Sequence, residues 1–284
     1  MNILLTGEKG YIANNIAEYI YSRNGPFNIL QKSIRYNSLD KLTLNKIETV
    51  IHAAALVHKK ETPESEAAYF EINMELTIKL ALKAKKAGVK QFIFLSTMAV
   101  YGNVRGAITK DTKTYPVTYY GKSKLAAEKI LLEMQDRNFK VAIVRPPMVY
   151  GPSCPGNYVL LSKLSSKIPI FPQIVNKRSM LFIDNLSEFI FQLIKYEESG
   201  IFHPQDSQYI TTSVMVKKIA KANNKYIYFS KLAGKILNMF MGNKAIYQKV
   251  FGDLYYTEEL SDYRDNSYQR YNLEQAIAIT EKKK

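Results

Sequence analysis

The chain has 284 residues, 46% of them hydrophobic, and a formal net charge of +15. That length supplies a core for one large domain or one and a half, and no apolar run reaches the roughly 18 residues a membrane span needs. A single cysteine, Cys154, excludes an internal disulfide framework and fits a reducing cytoplasm, where we expect the protein. Lysines are spread along the chain, with clusters at Lys83, Lys85 and Lys86 and at Lys282 to Lys284. No finger, basic-zipper or RNA-binding signature accompanies them, so they read as solvated basic faces and not as a nucleic-acid site.

Residues 1–7 lack the basic start and long apolar stretch of a signal peptide and read as a first strand, over 2–5. A Gly-rich turn leads into a helix over 11–23, then strands over 27–30 and 48–52. A long helix opens at 62–66 and closes at Gly88. One stripe of this helix holds Phe70, Met74, Thr77 and Ala81, and another Ile72, Leu76 and Leu80. Two stripes predict one face on a sheet and one on a neighbouring helix from a second subunit, hence a homodimer. A strand over 90–96, a helix over 118–137 and a strand over 140–145 follow. This alternation predicts a parallel sheet covered on both faces.

Beyond residue 150 the alternation weakens: a helix near 157–167, a turn at 169–172 and a helix over 184–196 suggest a smaller lobe. Residues 231–251 form a basic helical stretch with Leu232, Ile236, Leu237, Met239 and Phe240. Core packing is the expectation there, with a membrane-surface role as the alternative.

Two stretches carry the chemistry. Gly7, Lys9, Gly10, Tyr11, Ile12 and Ala13 lie between a strand and a helix, where glycines let a pyrophosphate approach the backbone and helix N-terminus. NAD-type folds place an acid at the end of the second strand; here the residues are Leu30 to Arg35, with no acid. Lys32 falls about where the acid would sit, with Lys9 and Arg35 as possible neighbours, so the cofactor expected is NADP(H), with NAD(H) the alternative. Tyr120 and Lys124, four apart, project from one helix face. A nearby ammonium favours the phenolate, which would bring the tyrosine below its ordinary value of about 10. Cys154 has no partner base in the pattern, and His52, His58 and His203 lack metal-ligand spacing; no metal is expected.

In combination these motifs resemble the extended short-chain dehydrogenase/reductase family, especially its nucleotide-sugar epimerases, dehydratases and reductases. The resemblance covers residues 1 to about 200. It implies an α/β fold: a Rossmann-type doubly wound parallel sheet over 1–150, with a returning segment near 176–200, and a smaller C-terminal α/β substrate lobe over 151–284. His52 to Ala55 looks like the family segment in which Ala53, Ala54 and Ala55 line the cofactor, and Asn73 like its helix asparagine supporting the active-site lysine. Thr97 falls at the catalytic hydroxyl position, Tyr120 and Lys124 match the catalytic pair, and 145–152 match the turn into the substrate lobe, with Pro147 beside the cofactor. Arg178 is similar to the arginine that grips the substrate diphosphate; Thr97, Met98, Asn157 and Phe171 complete the expected substrate contacts.

The resemblance implies a UDP-linked sugar as substrate. The missing acid after the second strand and the short C-terminal lobe favour an NADPH-dependent reductase of a UDP-4-keto-6-deoxy-N-acetylhexosamine, in surface-polysaccharide precursor synthesis. Hydride would go to C4 with Tyr120 as proton donor. Met98 stands where 4,6-dehydratases of the family place an acid. The alternatives are a 4-epimerase with tightly bound NAD, and a dinucleotide-sensing protein on the same fold.

Overall fold

The computed structural model describes residues 1–57 and 61–282; His58, Lys283 and Lys284, named above, lie outside them. In chain order the first elements are β1 (Asn2–Thr6), α1 (Tyr11–Tyr21), β2 (Asn28–Lys32), α2 (Tyr36–Leu39), β3 (Thr49–His52), α3 (Glu66–Phe70), α4 (Leu76–Lys86) and β4 (Gln91–Leu95). Then come β5 (Gly106–Ile108), α5 (Tyr119–Glu133), β6 (Lys140–Val144), β7 (Met148–Tyr150), α6 (Asn157–Lys167), β8 (Ile170–Pro172), β9 (Met180–Phe182) and α7 (Ile183–Lys195). The rest are β10 (Gly200–Phe202), α8 (Thr212–Ala222), β11 (Tyr228–Ser230), α9 (Lys231–Met241), α10 (Ala245–Phe251), β12 (Leu254–Tyr256), α11 (Glu258–Ser261) and α12 (Leu273–Lys282).

Two units are distinguished: Met1–Asn103, Thr112–Pro146 and Leu186–Pro204 form the first, and Val104–Asp111, Pro147–Asn185 and the chain from Gln205 form the second. In the first, six strands make one sheet in the order β10-β6-β4-β3-β1-β2, and every pairing is parallel. Apolar runs such as 92–95 and 141–144 are buried throughout, as strands covered on both faces require. One face buries Leu4, Val50, Phe92, Phe94, Val141 and Ile143 against Leu76, Leu80, Ala84, Ala127 and Leu131 of the helices. Register places Thr6 beside His52 and Leu95 beside Val144. The chain therefore leaves β1, β3, β4 and β6 at one sheet edge, where ligands of open parallel sheets bind.

The second unit is built from parallel pairs, β5 with β12, β7 with β9 and β8 with β11. Phe171, Val216, Ala220 and Ile227 form a small core there. The expected return near 176–200 lies at Leu186–Pro204 in this division, where β10 adds the edge strand beside β6.

Several expected elements differ from those observed. The helix expected from 62 to 87 is interrupted: Glu71–Glu75 forms a π turn, with Asn73 at its centre fully buried. Both stripes of this helix supply the core, Thr77 and Ala81 from one and Leu76 and Leu80 from the other. The helix expected to reach 137 stops at Glu133 because Asp136 Oδ1 accepts the amides of Asn138 and Phe139, closing a turn. The expected turn at 169–172 contains β8, paired with β11. The stretch 231–251 breaks at Gly242–Lys244 into α9 and α10, and only α10 packs as expected: Tyr247 is buried and Phe251 lies against Phe171, whereas Leu232, Ile236, Met239 and Phe240 of α9 are 68%, 47%, 72% and 69% exposed. The α9 side that meets protein is narrow, because Gly234 approaches the backbone of Gln173 so closely that a Cβ would lie 2.2 Å from its carbonyl oxygen.

Phe92 is fully buried between His52 and Phe139. Phe92→Ala is expected to cost about 3–5 kcal/mol, read as a lower urea midpoint with unchanged slope.

Candidate active site

In the first unit, Gly7 follows β1 at φ +97°, and a Cβ there would press on Ala54 N at 3.3 Å and Cα at 3.4 Å. Glycine thus lets the loop close on the Ala53–Ala55 segment. Gly10 N donates to Gly7 O at 2.6 Å, and Gly10 caps α1 without a side-chain acceptor. The first turn of α1 carries no acid, so its positive dipole end suits a phosphate group. Tyr11 and Ile12 open that turn, both partly buried. Gly7 N donates to Lys32 O at 3.0 Å, and Lys32 is in register with Thr6. Lys9, Lys32 and Arg35 are all exposed, and no carboxylate occupies the strand end. These residues fit a dinucleotide: a backbone cradle for a diphosphate, with cations at the end of the second strand.

From this loop a chain of buried polar groups runs toward α5. Thr6 Oγ1 lies 2.8 Å from His52 Nδ1 and accepts from Ala54 N at 3.1 Å. His52 Nε2 lies 2.9 Å from Thr77 Oγ1, which donates to Asn73 O at 2.9 Å. Because the Thr77 proton is committed to that carbonyl, His52 must carry its proton on Nε2, and Thr6 donates to Nδ1. Burial, assisted by the Lys124 charge, pushes the imidazole down to about 3, so it stays neutral. The Asn73 amide accepts from Leu56 N at 2.7 Å and donates to Leu56 O at 3.1 Å and Ser123 Oγ at 3.2 Å. Ser123 donates in turn to Tyr120 O at 3.0 Å. Asn73 therefore joins the segment after β3 to the start of α5, and the widened π turn is what carries it.

Thr118 caps α5, accepting from Gly121 N at 3.0 Å. Gly121 lets this helix approach the turn after β4: a Cβ would lie 2.8 Å from Ala99 O. Thr97 hydrogen-bonds the Tyr120 hydroxyl and accepts from Ala99 N at 3.1 Å. Tyr120 keeps partial exposure as a residue, yet desolvation of its hydroxyl pushes the phenol up to about 12, with the Thr97 bond opposing. Lys124, 1% exposed, donates to Leu95 O at 2.7 Å and lies 4.3 Å from the Phe94 ring centre. Burial brings its ammonium down to about 7, against the pull of Glu128. The phenol thus stands above its ordinary value, not below it as the four-residue spacing suggested, because desolvation outweighs the Thr97 bond. In this state Tyr120 is a proton donor at neutral pH.

Behind these residues lies a charged cluster that sequence reasoning missed. Arg145 grips Glu128 through Nε at 3.1 and 3.2 Å and Nη2 at 2.6 Å, and both residues are buried. Ser96, next to Thr97, bonds the same carboxylate. Arg145 Nη1 donates to Tyr101 Oη at 2.8 Å, which lies 2.8 Å from His203 Nε2. Its signal was the position of Glu128, one turn beyond Lys124 on the same helix face. Met98 is 8% exposed, its amide on Pro146 O at 2.9 Å.

In the second unit, Arg178 donates through Nη1 to Gly252 O at 2.9 Å, and burial lowers its pKa. Asn157 is exposed at the start of α6. Pro147 is buried where this unit begins. Phe171 does not line a surface for substrate: it is 2% exposed in the core, against Phe229 and Phe251. Cys154 is buried too. No group of residues among those described could hold a metal.

A family model described as the NAD dependent epimerase/dehydratase family matches residues 3–202. The chain belongs to this family. It is an enzyme of the extended short-chain dehydrogenase/reductase type. It is 32% identical over 273 residues to a UDP-glucose 4-epimerase of Vibrio cholerae, covering 82% of this chain and 83% of that protein. It is 27% identical over 248 residues to an N-acetyl-α-D-glucosaminyl-diphospho-ditrans,octacis-undecaprenol 4-epimerase of Escherichia coli O157:H7, covering 80% of this chain and 73% of that one. In fold it is similar to a UDP-glucose 4-epimerase structure, with a TM-score of 0.78 at 19% identity over 100% of this chain and 97% of that one. A structure of RMD from Pseudomonas aeruginosa complexed with NADPH gives a TM-score of 0.75 at 18% identity, over 100% of this chain and 99% of that one.

His52 and His203 are both held near 3 by burial, while unfolded histidines titrate near their ordinary value of about 6.5. As pH falls from about 6.5 toward 3 the unfolded chain takes up protons that the native state refuses. Native stability is therefore expected to fall, by up to about 1.4 kcal/mol per pH unit for each histidine. Urea midpoints measured between neutral pH and pH about 4 check this, and His203→Gln should make the decline shallower.

Proposed function

We propose that the protein is an NADPH-dependent reductase of a UDP-4-keto-6-deoxy-N-acetylhexosamine, acting in the cytoplasm in surface-polysaccharide precursor synthesis. One observation carries the cofactor: Lys32 is in register with Thr6 beside the glycine loop, where NAD-type proteins place a carboxylate. Bound NADPH supplies the hydride. Gly7, Gly10 and the first turn of α1 take its diphosphate, and Lys32, with Lys9 and Arg35, takes the 2′-phosphate. Ala53, Ala54 and Ala55 line the dinucleotide, and Lys124 holds the ribose of the reacting end. Thr97 orients the C4 carbonyl, and Tyr120 gives its proton to the oxygen as charge develops there. A phenol held near 12 suits that reductive direction. Arg178 provides a fork for the UDP diphosphate, with Asn157 beside the sugar.

A second reading, a 4-epimerase with tightly bound NAD, is supported by the two relatives that each cover about four-fifths of this chain and act as 4-epimerases. Cofactor preference separates the two. NADPH is expected to bind about tenfold to a hundredfold more tightly than NADH, the worth of one charge-assisted contact. Lys32→Asp should reverse the order. Equal affinities for the wild type, measured by titrating both reduced cofactors, would favour the epimerase. In either reading Tyr120→Phe is expected to lower kcat by about 100-fold or more while leaving dinucleotide affinity nearly unchanged. A variant keeping a larger share of the rate removes Tyr120 as the acid.

A further inference from the structure

Helix α9 presents an apolar face that no other element among the described residues covers. At about 100° per residue, Met239, Leu232, Ile236 and Phe240 fall within one arc of roughly 100°, and all four are exposed. Lys235 and Lys231, also exposed, continue the same side of the helix. The opposite side is fixed by Gly234 against Gln173. The helix starts from β11, where Ser230 caps it by accepting from Ala233 N at 3.1 Å. Just before that cap Tyr226 and Tyr228 are 89% and 59% exposed, and Tyr228 is in register with Ile170, 55% exposed. From Ser230 to Gly252 the chain has four lysines, Lys231, Lys235, Lys244 and Lys249, and no acidic residue.

We propose that α9, with the adjoining end of β11, is a docking surface for an anionic lipid bilayer, on which the protein rests without crossing it. An exposed apolar arc bordered by lysines, with tyrosines beside it, is the arrangement that settles at a headgroup boundary. The apolar side chains enter the acyl edge while the lysines reach acidic headgroups. A second copy of the chain is a poorer occupant, since a two-fold contact would set this acid-free, lysine-bearing segment against itself. None of the described helices is long and apolar enough to span a membrane, so attachment would be peripheral and reversible by salt.

The test is flotation of the full-length protein with vesicles of phosphatidylcholine alone and of phosphatidylcholine mixed with phosphatidylglycerol. The wild type is expected to float with the mixed vesicles only and to be released at high salt. Lys231→Glu with Lys235→Glu should lower partitioning about thirtyfold or more, from the worth of each surface lysine. Met239→Ser with Phe240→Ser should lower it toward the phosphatidylcholine background, and Phe240→Ser alone should fall between. Circular-dichroism melts verify that each variant is folded, and the milder single variant carries the test if a double does not fold. Absence of wild-type flotation at low salt, or flotation indifferent to both pairs, overturns the proposal. So does light scattering that shows an oligomer dissolved by Phe240→Ser, which would make a second copy the occupant.

Discussion

The neutral, singly protonated His52 is the constraint around which the first unit is arranged. It is 1% exposed and meets β1 through Thr6 and the helix after the π turn through Thr77. Adding a proton would destroy the acceptor that Thr6 needs and place a charge near the Lys124 ammonium. A low-dielectric interior makes a fully paired chain of this kind stiff and a half-paired one costly. Its members therefore hold the glycine loop, the segment after β3 and the start of α5 in one relation. Glycine is required at the two close approaches, Gly7 on Ala54 and Gly121 on Ala99, because a side chain at either would separate what the polar chain joins.

Much of the first unit was legible in the sequence because parallel strands buried on both faces are short apolar runs, and the turns between them carry glycine. Gly7, Gly10, Tyr120 and Lys124 stood out by spacing and Thr97 by the family resemblance, and the structure brings Thr97 against Tyr120. The π turn was not legible: one residue of extra width leaves the apolar periodicity of 66–86 almost unchanged. Nor was the state of Tyr120, which depends on how far burial desolvates its hydroxyl, something a four-residue spacing does not say. Phe171 was misassigned because an aromatic beside prolines reads equally as a binding surface or a core residue, and only the packing of α8 decides. The second unit was the least legible because its strands are three residues long and most of their partners are distant in sequence.

The Glu128–Arg145 pair illustrates the cost of setting reactive groups on a buried strand end. Removing either partner of such a pair typically costs about 3–5 kcal/mol, yet its full set of bonds to Ser96 and Tyr101 leaves neither charge unmatched. Glu128 sits one helical turn from Lys124, and Ser96, which bonds it, is the residue before Thr97. The electrostatic surroundings of the ammonium and the placement of the hydroxyl thus share a support.

The direction of the hydrogen bonds through His52 also decides what this chain of groups cannot do. Thr77 and Ser123 both end on backbone carbonyls, those of Asn73 and Tyr120, and Thr6 receives from a backbone amide. Carbonyls and amides do not hand protons onward, so the chain is closed at its ends and conducts nothing. In the proposed reaction a proton given up by Tyr120 would therefore be replaced by a route outside this network. The buried chain is an insulator, and its rigidity carries no leak.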